Sequence, residues 1–301
     1  MGVFNKMRIT VFTPTYNRAY IIGQLYRSLQ IQSFKDFEWL VMDDGSTDNT
    51  KSLFEKWKLD DNDFPIRYYR FDNAGKQKEI NRALDLAQGE LFFTVDSDDL
   101  LMEDALETID KWENSLPRDG SFCGFAGSDG DMEGNPTNPL FEGPYIDATF
   151  LNRYPESGMF IGHDRPWVFY TDIHRKFKYP EFEGEKFITE AVVWNRMAAA
   201  GYKIRCYNDI VYLREHQEIG LTSGIQKILV SNPQGFGLWR KEMMEIFNYG
   251  FWKRFKVYYS FFCDVNNVCC LRQTAQYIGS PLWCMVISKI FYRLKHGREK
   301  K

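Results

Sequence analysis

Short apolar runs alternate with amphipathic stretches along the first hundred residues of this 301-residue chain. Runs rich in β-branched and aromatic side chains predict strands at 8–12, 37–42, 66–70 and 91–95. The stretches between them repeat apolar residues at helical spacing. Because strand–helix alternation of this kind produces right-handed crossovers, we predict an α/β protein with a Rossmann-like, mostly parallel sheet flanked by helices.

Polar clusters follow three of these strands at the point where each strand ends, at residues 13–17, 43–48 and 96–99. The last cluster contains three carboxylates within four residues, which repel each other unless a cation, donors or water compensate. Since the carboxyl ends of parallel strands meet at one edge of a sheet, we expect a ligand site there. Hard carboxylate oxygens suit Mg²⁺ or Mn²⁺ together with substrate phosphate. The alternative is a solvated turn in which Asp99 caps a helix that begins at Leu100.

Charge is distributed unevenly along the chain, whose formal net charge is −3. Residues 239–301 contain 12 Lys and Arg against 4 Asp and Glu, which leaves a net charge of −11 on residues 1–238. The cations of this tail are interleaved with aromatic residues rather than gathered in solvated runs, so we do not expect nucleic-acid binding. Such a segment is typical of helices at a lipid interface, with a helical lid or a homodimer interface as the alternative.

The cysteine pattern and the N-terminus bear on location. The six cysteines show no metal-ligand spacing, and a reducing compartment is the simplest account of them. Residues 1–6 lack the long apolar region of a signal peptide, and no stretch reaches the roughly 18 apolar residues that span a bilayer. We therefore expect a cytoplasmic protein, peripheral on the inner face of the membrane if the tail attaches to lipid.

Three motifs, in order and register, give the chain a resemblance to a known family. Residues 13–18 (TPTYNR), 42–48 (MDDGSTD) and 96–99 (DSDD) resemble the "PTYNR", "vDDGStD" and "DxDD" motifs of the family 2 glycosyltransferases, which have the GT-A fold. The resemblance is strong over residues 7–104, weaker to residue 216 and absent beyond it. It implies a metal-dependent, inverting enzyme of the hexosyltransferase type. The expected donor is a UDP-sugar, and the expected acceptor is a hydroxyl of a glycan or lipid-linked glycan, as in cell-surface polysaccharide biosynthesis.

The resemblance also implies roles for residues around the donor. Asp44 would accept hydrogen bonds from the edge of the base, and Tyr16 would pack against the ring. Asp96 would lie near the ribose, and Asp98 would bind the divalent ion, Mn²⁺ or Mg²⁺. The other residues expected in the nucleotide-sugar site are Thr13, Thr15, Ser97 and Lys78, with Lys76 as a second lysine that could contact phosphate or base.

Inverting transfer needs a carboxylate that takes the proton of the acceptor hydroxyl while the donor leaves from the opposite face. The family's usual element is "ED" at the start of a helix that closes with a glycine. Aligned backward from Gly201, the Asp position is taken by Glu190, so this chain departs from the commonest form. Glu185 is the alternative base. A carboxylate that stabilises the helix N-terminus is the structural alternative for Glu190.

Two histidines are further candidates. His216 follows a predicted strand, where the resemblance places a basic residue near the metal or diphosphate, and a surface histidine is the alternative. His163 lies in a predicted loop that could meet the acceptor. Neither role follows from the histidine pattern alone.

The predicted organisation is a GT-A catalytic domain at 1–235 and a helical aromatic and basic extension at 236–301. The catalytic domain divides into a nucleotide-binding half, 1–104, and an acceptor-binding half, 105–235. A non-catalytic nucleotide- or glycan-binding module is the alternative function. A phosphatase that uses Asp-x-Asp after a strand is a less favoured one, since the motif lies deep in the chain. Donor sugar, acceptor, linkage and oligomeric state remain open.

Overall fold

The computed structural model describes three stretches of the chain, residues 7–162, 164–214 and 224–296. The chain divides into two compact units, Met1–Lys178 with Arg196–His216 and Tyr179–Asn195 with Gln217–Lys301. The first unit contains the sheet, and the second is helical. This division follows contacts rather than function, and the predicted domains at 1–235 and 236–301 stay predictions.

One mixed sheet forms the centre of the first unit. Within the described residues its strands are β1 (Ile9–Thr15), β2 (Phe37–Asp43), β3 (Ile66–Arg70), β4 (Leu91–Thr94), β5 (Leu100–Leu101), β6 (Phe122–Gly130), β7 (Tyr145–Ala148), β8 (Trp167–Tyr170) and β9 (Lys203–Leu213). Their order is β3-β2-β1-β4-β8-β6-β9-β5, and β7 pairs with β9. Strands β3, β2, β1 and β4 are parallel, whereas β8 is antiparallel to both β4 and β6. The predicted α/β fold with a mostly parallel sheet is confirmed.

Helices join the strands of the first unit and make up the second. Those that begin in the first 200 residues are α1 (Gly23–Gln30), α2 (Thr50–Trp57), α3 (Lys76–Leu86), α4 (Ala105–Asn114), α5 (Thr171–His174) and α6 (Ala191–Ala199). The later ones are α7 (Ile225–Ser231), α8 (Pro233–Ile246), α9 (Phe251–Val265), α10 (Leu271–Ile278) and α11 (Leu282–His296). The helical C-terminal extension is therefore confirmed.

One alternative and one local prediction were wrong. Residues 100–101 form β5, which pairs with β9, and no helix begins at Leu100. The sequence predicts two short strands at 203–207 and 210–213, but residues 203–213 form one strand with three register shifts in its pairing with β6. Between the two predicted strands, the side-chain amide of Asn208 donates to the carbonyl oxygens of Phe141 (2.8 Å) and Gly143 (3.3 Å). Tertiary pairing thus overrides local preference here.

The aromatic core under β1 and β2 holds the first polar loop in place. Trp39 of β2 is fully buried, and its ring packs against those of Tyr26, Phe54 and Trp57. Its indole Nε1 donates to Oγ1 of Thr13, 3.0 Å away, which satisfies two buried polar atoms at once. Thr13 therefore serves the core of the sheet.

Arg165 is a buried cation that ties several loops of the first unit together. Its side chain is 2% exposed, and each of its donors meets a carbonyl oxygen rather than a carboxylate. Nε donates to the carbonyl oxygen of Ile161 (2.6 Å). Nη1 donates to those of Gly127 (3.0 Å) and Tyr207 (3.2 Å), and Nη2 donates to that of Pro139 (2.8 Å). Burial lowers the pKa of this guanidinium.

Replacing Arg165 with methionine is expected to lower the free energy of unfolding by about 3 kcal/mol, because four carbonyl oxygens lose their donor in a buried site. Chemical denaturation measures this change. Arg118→Met is the matched control, since the Arg118 side chain is 74% exposed and its ion pair with Glu113 spans 3.6 Å. That variant should stay within about 0.5 kcal/mol of wild type. Equal effects of the two substitutions would contradict a clamping role for Arg165.

His174 gives the first unit a pH-dependent stability. Its imidazole is 2% exposed, lies edge-on to Phe92 and contacts the ring of Phe169. Burial lowers its pKa from 6.5 to about 3. The unfolded chain therefore binds a proton here below about pH 6.5 that the folded chain does not bind, and stability is lost as the pH falls from 6.5 towards 3.

We expect the His174 position alone to reduce the free energy of unfolding by roughly 2 kcal/mol between pH 7 and pH 5. His174→Leu keeps an apolar side chain of similar size and should flatten the stability–pH curve by that amount. Denaturant titrations of both proteins at several pH values measure the difference in slope. Parallel curves would show that the folded protein accepts the charged imidazole.

The second unit has its own aromatic core, centred on buried Phe236, Phe261 and Phe262. Helices α8 and α10 approach each other closely at Gly237, where a Cβ atom would lie 2.7 Å from the backbone carbonyl of Tyr277. Only glycine fits such a backbone approach. Of the helices within the described residues, none has the length and hydropathy of a membrane span.

Candidate active site

The loops that follow β1 and β2 are bound to each other at the carboxyl edge of the sheet. The backbone N–H of Asn17 donates to Oγ of Ser46 (2.8 Å), and Oδ1 of Asn17 accepts from the backbone N–H of Thr47 (2.8 Å). Asn17 has a φ of 54°, a left-handed conformation that asparagine tolerates better than most residues. This arrangement leaves the ring of Tyr16 48% exposed at the edge.

Adjacent aspartates at the end of β2 have different partners. Asp43 is fully buried and accepts from the Ser46 backbone N–H (2.7 Å) and from the Tyr68 hydroxyl. Asp44 holds the loop before α3: Oδ1 accepts from Ala74 N–H (2.5 Å), and Oδ2 accepts from Gly75 N–H and from the Asn73 side chain (both 3.0 Å). A carboxylate has about four acceptor positions, so Asp44 retains about one for a ligand.

Lys76, the first residue of α3, faces the acidic end of β4. Its Nζ lies 2.9 Å from Oδ1 and 3.2 Å from Oδ2 of Asp96. Burial raises the pKa of Asp96, but the Lys76 ammonium more than offsets this effect, so the pKa is lowered. Lys78 lies on the same turn of the helix and is half-buried, and it forms no ion pair within the described chain.

Asp98 and Asp99 carry negative charge that their surroundings compensate only in part. The Asp98 carboxylate lies 3.6 Å from Nη2 of Arg18, and burial followed by repulsion from Asp96 raises its pKa. Asp99 is 8% exposed, and its Oδ2 accepts from the hydroxyl of Tyr212 in β9 (2.6 Å). Burial and the charge of Asp96 raise the pKa of Asp99 to about 7. Asp99 therefore interacts with a strand and caps no helix at Leu100.

The residues at this edge suit a divalent ion that is shared with substrate. Among the described residues, no three His, Cys, Asp or Glu side chains form a ready-made metal-binding group. Mg²⁺ and Mn²⁺ in nucleotide enzymes commonly take one or two carboxylates and complete their shell with water and phosphate oxygens. Asp96 and Asp98 supply hard oxygens of this type, and their mutual repulsion is what a cation relieves.

Arg214 and its partners were missed by the sequence reasoning. The guanidinium lies 2.8 Å from Oδ2 of Asp129 and 3.2 Å from Oδ2 of Asp164. Burial lowers the pKa of Arg214, but these carboxylates more than offset the loss. Asp129 is the last residue but one of β6. The Gly, Asn and Pro content of residues 127–144 instead predicts an exposed loop, so nothing local predicted this group. His216 and His163 lie outside the described residues.

The two candidate bases belong to the second unit. Glu185 is buried, and its Oε1 and Oε2 accept from the backbone N–H groups of Gln234 (2.7 Å) and Gly235 (2.9 Å) at the N-terminus of α8. Glu190 directly precedes α6, and its carbonyl accepts from Val193 N–H (3.1 Å). Its side chain is half-buried. Glu185 thus caps a helix with both carboxylate oxygens.

Comparison with known proteins then identifies the family. Residues 10–177 match the sequence model of glycosyl transferase family 2, which is more than half of the chain. The chain belongs to this family. The predicted family is therefore confirmed, and all three motifs at the sheet edge lie within the matched residues.

Relatives within family 2 align with about a third of the chain. GalNAc(5)-diNAcBac-PP-undecaprenol β-1,3-glucosyltransferase of Campylobacter jejuni is 38% identical over 104 residues, which cover 34% of this chain and 33% of that protein. Poly(ribitol-phosphate) β-N-acetylglucosaminyltransferase TarS of Staphylococcus aureus is 37% identical over 103 residues, 34% of this chain and 18% of that protein. The chain thus spans a third or less of the length of these relatives.

Solved structures of family 2 type resemble the fold over nearly the whole chain. S. aureus TarS 1–349 in complex with UDP-GlcNAc has a TM-score of 0.60 at 17% identity and covers 96% of this chain and 92% of that one. The mannosyltransferase PcManGT of Pyrobaculum calidifontis, in complex with GDP-Man and Mn²⁺, has a TM-score of 0.55 at 19% identity and covers 95% and 80%. These likenesses establish the GT-A fold that the sequence predicts.

Proposed function

We propose that this protein transfers a sugar from a nucleoside diphosphate donor to a hydroxyl group of a polysaccharide or lipid-linked glycan. The observation that carries the proposal is the meeting of Asp44, Lys76 and the Asp96–Asp98 carboxylates at one edge of a GT-A sheet. The names of the relatives support the acceptor class, since one acts on an undecaprenol-linked glycan and another on poly(ribitol-phosphate).

The donor is proposed to be a UDP-sugar whose base lies between Tyr16 and Asp44. Tyr16 offers an exposed ring, and Asp44 retains an acceptor position. Thr15 offers a further group, because its Oγ1 is buried and has no hydrogen-bond partner within the described chain. Buried polar atoms without a partner are uncommon in folded proteins. The UDP-GlcNAc and UDP complexes of the TarS fold neighbour support a UDP-sugar, whereas the neighbour PcManGT is in complex with GDP-Man.

Asp98 is proposed to hold Mn²⁺ or Mg²⁺. The ion would offset the negative charge that develops on the leaving diphosphate. Asp96, which forms an ion pair with Lys76, is proposed to lie near the ribose of the donor. Ser97, which is buried, lies between Asp96 and Asp98 in the sequence. Arg18, whose Nη2 lies 3.6 Å from Oδ2 of Asp98, is a second cation at this edge and would interact with the phosphates of the donor.

Transfer is proposed to invert the sugar's configuration, with Glu190 as the base that takes the acceptor hydroxyl's proton. Glu190 holds the position of the base in the family pattern, next to the first residue of α6. Glu185 is the weaker candidate because both of its carboxylate oxygens already accept from the N-terminus of α8. The protein is proposed to act on the inner face of a membrane. A lid or a homodimer is the alternative role of the helical extension.

A panel of nucleoside diphosphates and nucleotide sugars, with and without Mn²⁺, tests this function. We expect UDP and one UDP-sugar to raise the melting temperature only when Mn²⁺ is present, and the same donor to be consumed when a glycan acceptor is added. Binding of a donor without turnover on any acceptor would favour a non-catalytic binding module. Stabilisation by no nucleotide would contradict the proposal.

A further inference from the structure

The outward side of α11 is apolar, which is unusual for a helix at a protein surface. Of the exposed side chains on residues 282–295, six are large and hydrophobic. They are Leu282 (45% exposed), Trp283 (50%), Val286 (43%), Ile290 (53%), Phe291 (52%) and Leu294 (60%). At about 100° per residue, these six occupy roughly half of the helix circumference. Its other half is already packed, with Cys284, Met285 and Ser288 buried in the second unit.

The neighbouring helix α10 lacks this feature. Its exposed positions include Arg272, Gln273 and Gln276, as expected for an amphipathic helix that faces water. The core of the second unit thus needs only one apolar side from each helix, and the second apolar side of α11 has no role in that core. Contiguous exposed apolar surface of this kind marks an interaction site.

The start of α9 extends the same surface. Phe251 is 54% exposed and stacks on Trp283 with ring centroids 6.2 Å apart, and Trp252 is 76% exposed. Further along, Phe262 contacts Tyr292, so α9 and α11 run side by side in the same direction. Four aromatic rings, of Phe251, Trp252, Trp283 and Phe291, therefore belong to one face, which we call the α9/α11 face.

Cations border the α9/α11 face. On the wheel of α11, Lys289 and Arg293 lie along one border of the apolar arc and Lys295 along the other. None of the three forms an ion pair within the described residues. Helix α11 contains no acidic residue. Apolar and aromatic side chains bordered by unpaired cations match a surface with an apolar interior and anionic headgroups.

We propose that the α9/α11 face docks this chain onto an anionic lipid bilayer, with α11 lying in the interface. The purpose of this docking rests on the proposed function, since a lipid-linked acceptor is presented at such a surface. The docking itself requires neither donor nor acceptor. A second copy of the chain is the competing occupant, but two such faces would bring their unpaired cations together.

Vesicle flotation of the full chain tests the proposal. Wild-type protein is expected to float with vesicles of phosphatidylcholine and phosphatidylglycerol and to bind vesicles of phosphatidylcholine alone at least about tenfold more weakly. Trp283→Ser with Ile290→Ser should reduce the partition coefficient about tenfold or more. Lys289→Gln with Arg293→Gln should reduce it about tenfold on anionic vesicles only.

Matched controls separate docking from folding and from catalysis. Ile31→Ser with Leu59→Ser removes side chains that are 58% and 87% exposed on the first unit, and flotation should not change. Melting curves of the α11 variants and of the Ile31→Ser with Leu59→Ser control should match wild type, since the substituted residues are exposed apart from half-buried Lys289. Asp98→Asn should float like wild type even though transfer is lost, so a failed transfer assay does not affect this test.

Three results would overturn the proposal. The first is wild-type protein that does not float, and the second is an α9/α11 double variant that floats like wild type while folded. The third is a concentration-dependent dimer in light scattering that Trp283→Ser with Ile290→Ser dissociates, without any vesicle binding. That result would assign the face to a second copy of the chain.

Discussion

Replacing Asp98 with asparagine is expected to lower the rate of sugar transfer about a thousandfold or more without destabilising the fold. The carboxylate is half-buried and is also repelled by Asp96, and both effects raise its pKa. A carboxylate whose pKa is raised by burial and repulsion destabilises the donor-free protein slightly. Replacing Asp98 with neutral asparagine should therefore leave the melting temperature unchanged or raise it. If Asp98 had only a structural role, Asp98→Asn would lower the melting temperature.

The same variant should lose the dependence of UDP binding on Mn²⁺. Calorimetric titration of UDP with and without Mn²⁺ measures the loss, and a chelator should reduce wild-type transfer to the level of the variant. Asp61→Asn is the matched control, because Asp61 is exposed in the loop before β3 and lies away from the carboxyl edge in sequence. Transfer that continues in chelator, or an Asp98→Asn enzyme with a near-normal rate, would remove the metal from the proposed function.

The parallel half of the sheet can be predicted from the sequence, because the local pattern of residues is enough to identify each of its strands and helices. Strands β2 and β4 are rich in large apolar residues, as expected for strands that are covered on both faces, and both are fully or almost fully buried. A parallel arrangement then brings their polar ends to one edge whatever the details of the loops. The positions of Asp44 and Asp96 followed from this rule alone.

The hydrogen-bond partners of the site residues cannot be predicted from the sequence in the same way. Tyr212 reaches Asp99 across 113 positions of the sequence, and this contact exists only because β5 pairs with β9. The pairing depends on the register of a long interrupted strand, which local preferences misread as two short ones. The hydrogen bonds that the Ala74 and Gly75 N–H groups donate to the Asp44 carboxylate likewise depend on the conformation of a loop. Roles for Thr13, Thr15, Tyr16, Lys78 and Ser97 towards a donor stay predictions.

Replacing Glu190 with glutamine is expected to lower kcat between about a hundredfold and ten thousandfold while the donor's KM stays near its wild-type value. Glutamine has the shape of glutamate but cannot take a proton from the acceptor hydroxyl. Glu190 lies beside the first residue of α6, so a purely structural carboxylate there would change stability by less than about 1 kcal/mol and leave kcat unaffected. Steady-state kinetics and melting curves distinguish the two roles.

Glu185→Gln makes the identical chemical change five residues away and should have the reverse effect. Its carboxylate accepts from Gln234 and Gly235 N–H at the start of α8, so the substitution should lower the free energy of unfolding by about 1 kcal/mol and leave kcat near normal. The pair of variants therefore separates a helix cap from a base. If Glu185→Gln loses transfer while fully folded and Glu190→Gln retains it, the base is Glu185, and the backward alignment from Gly201 is wrong by five residues.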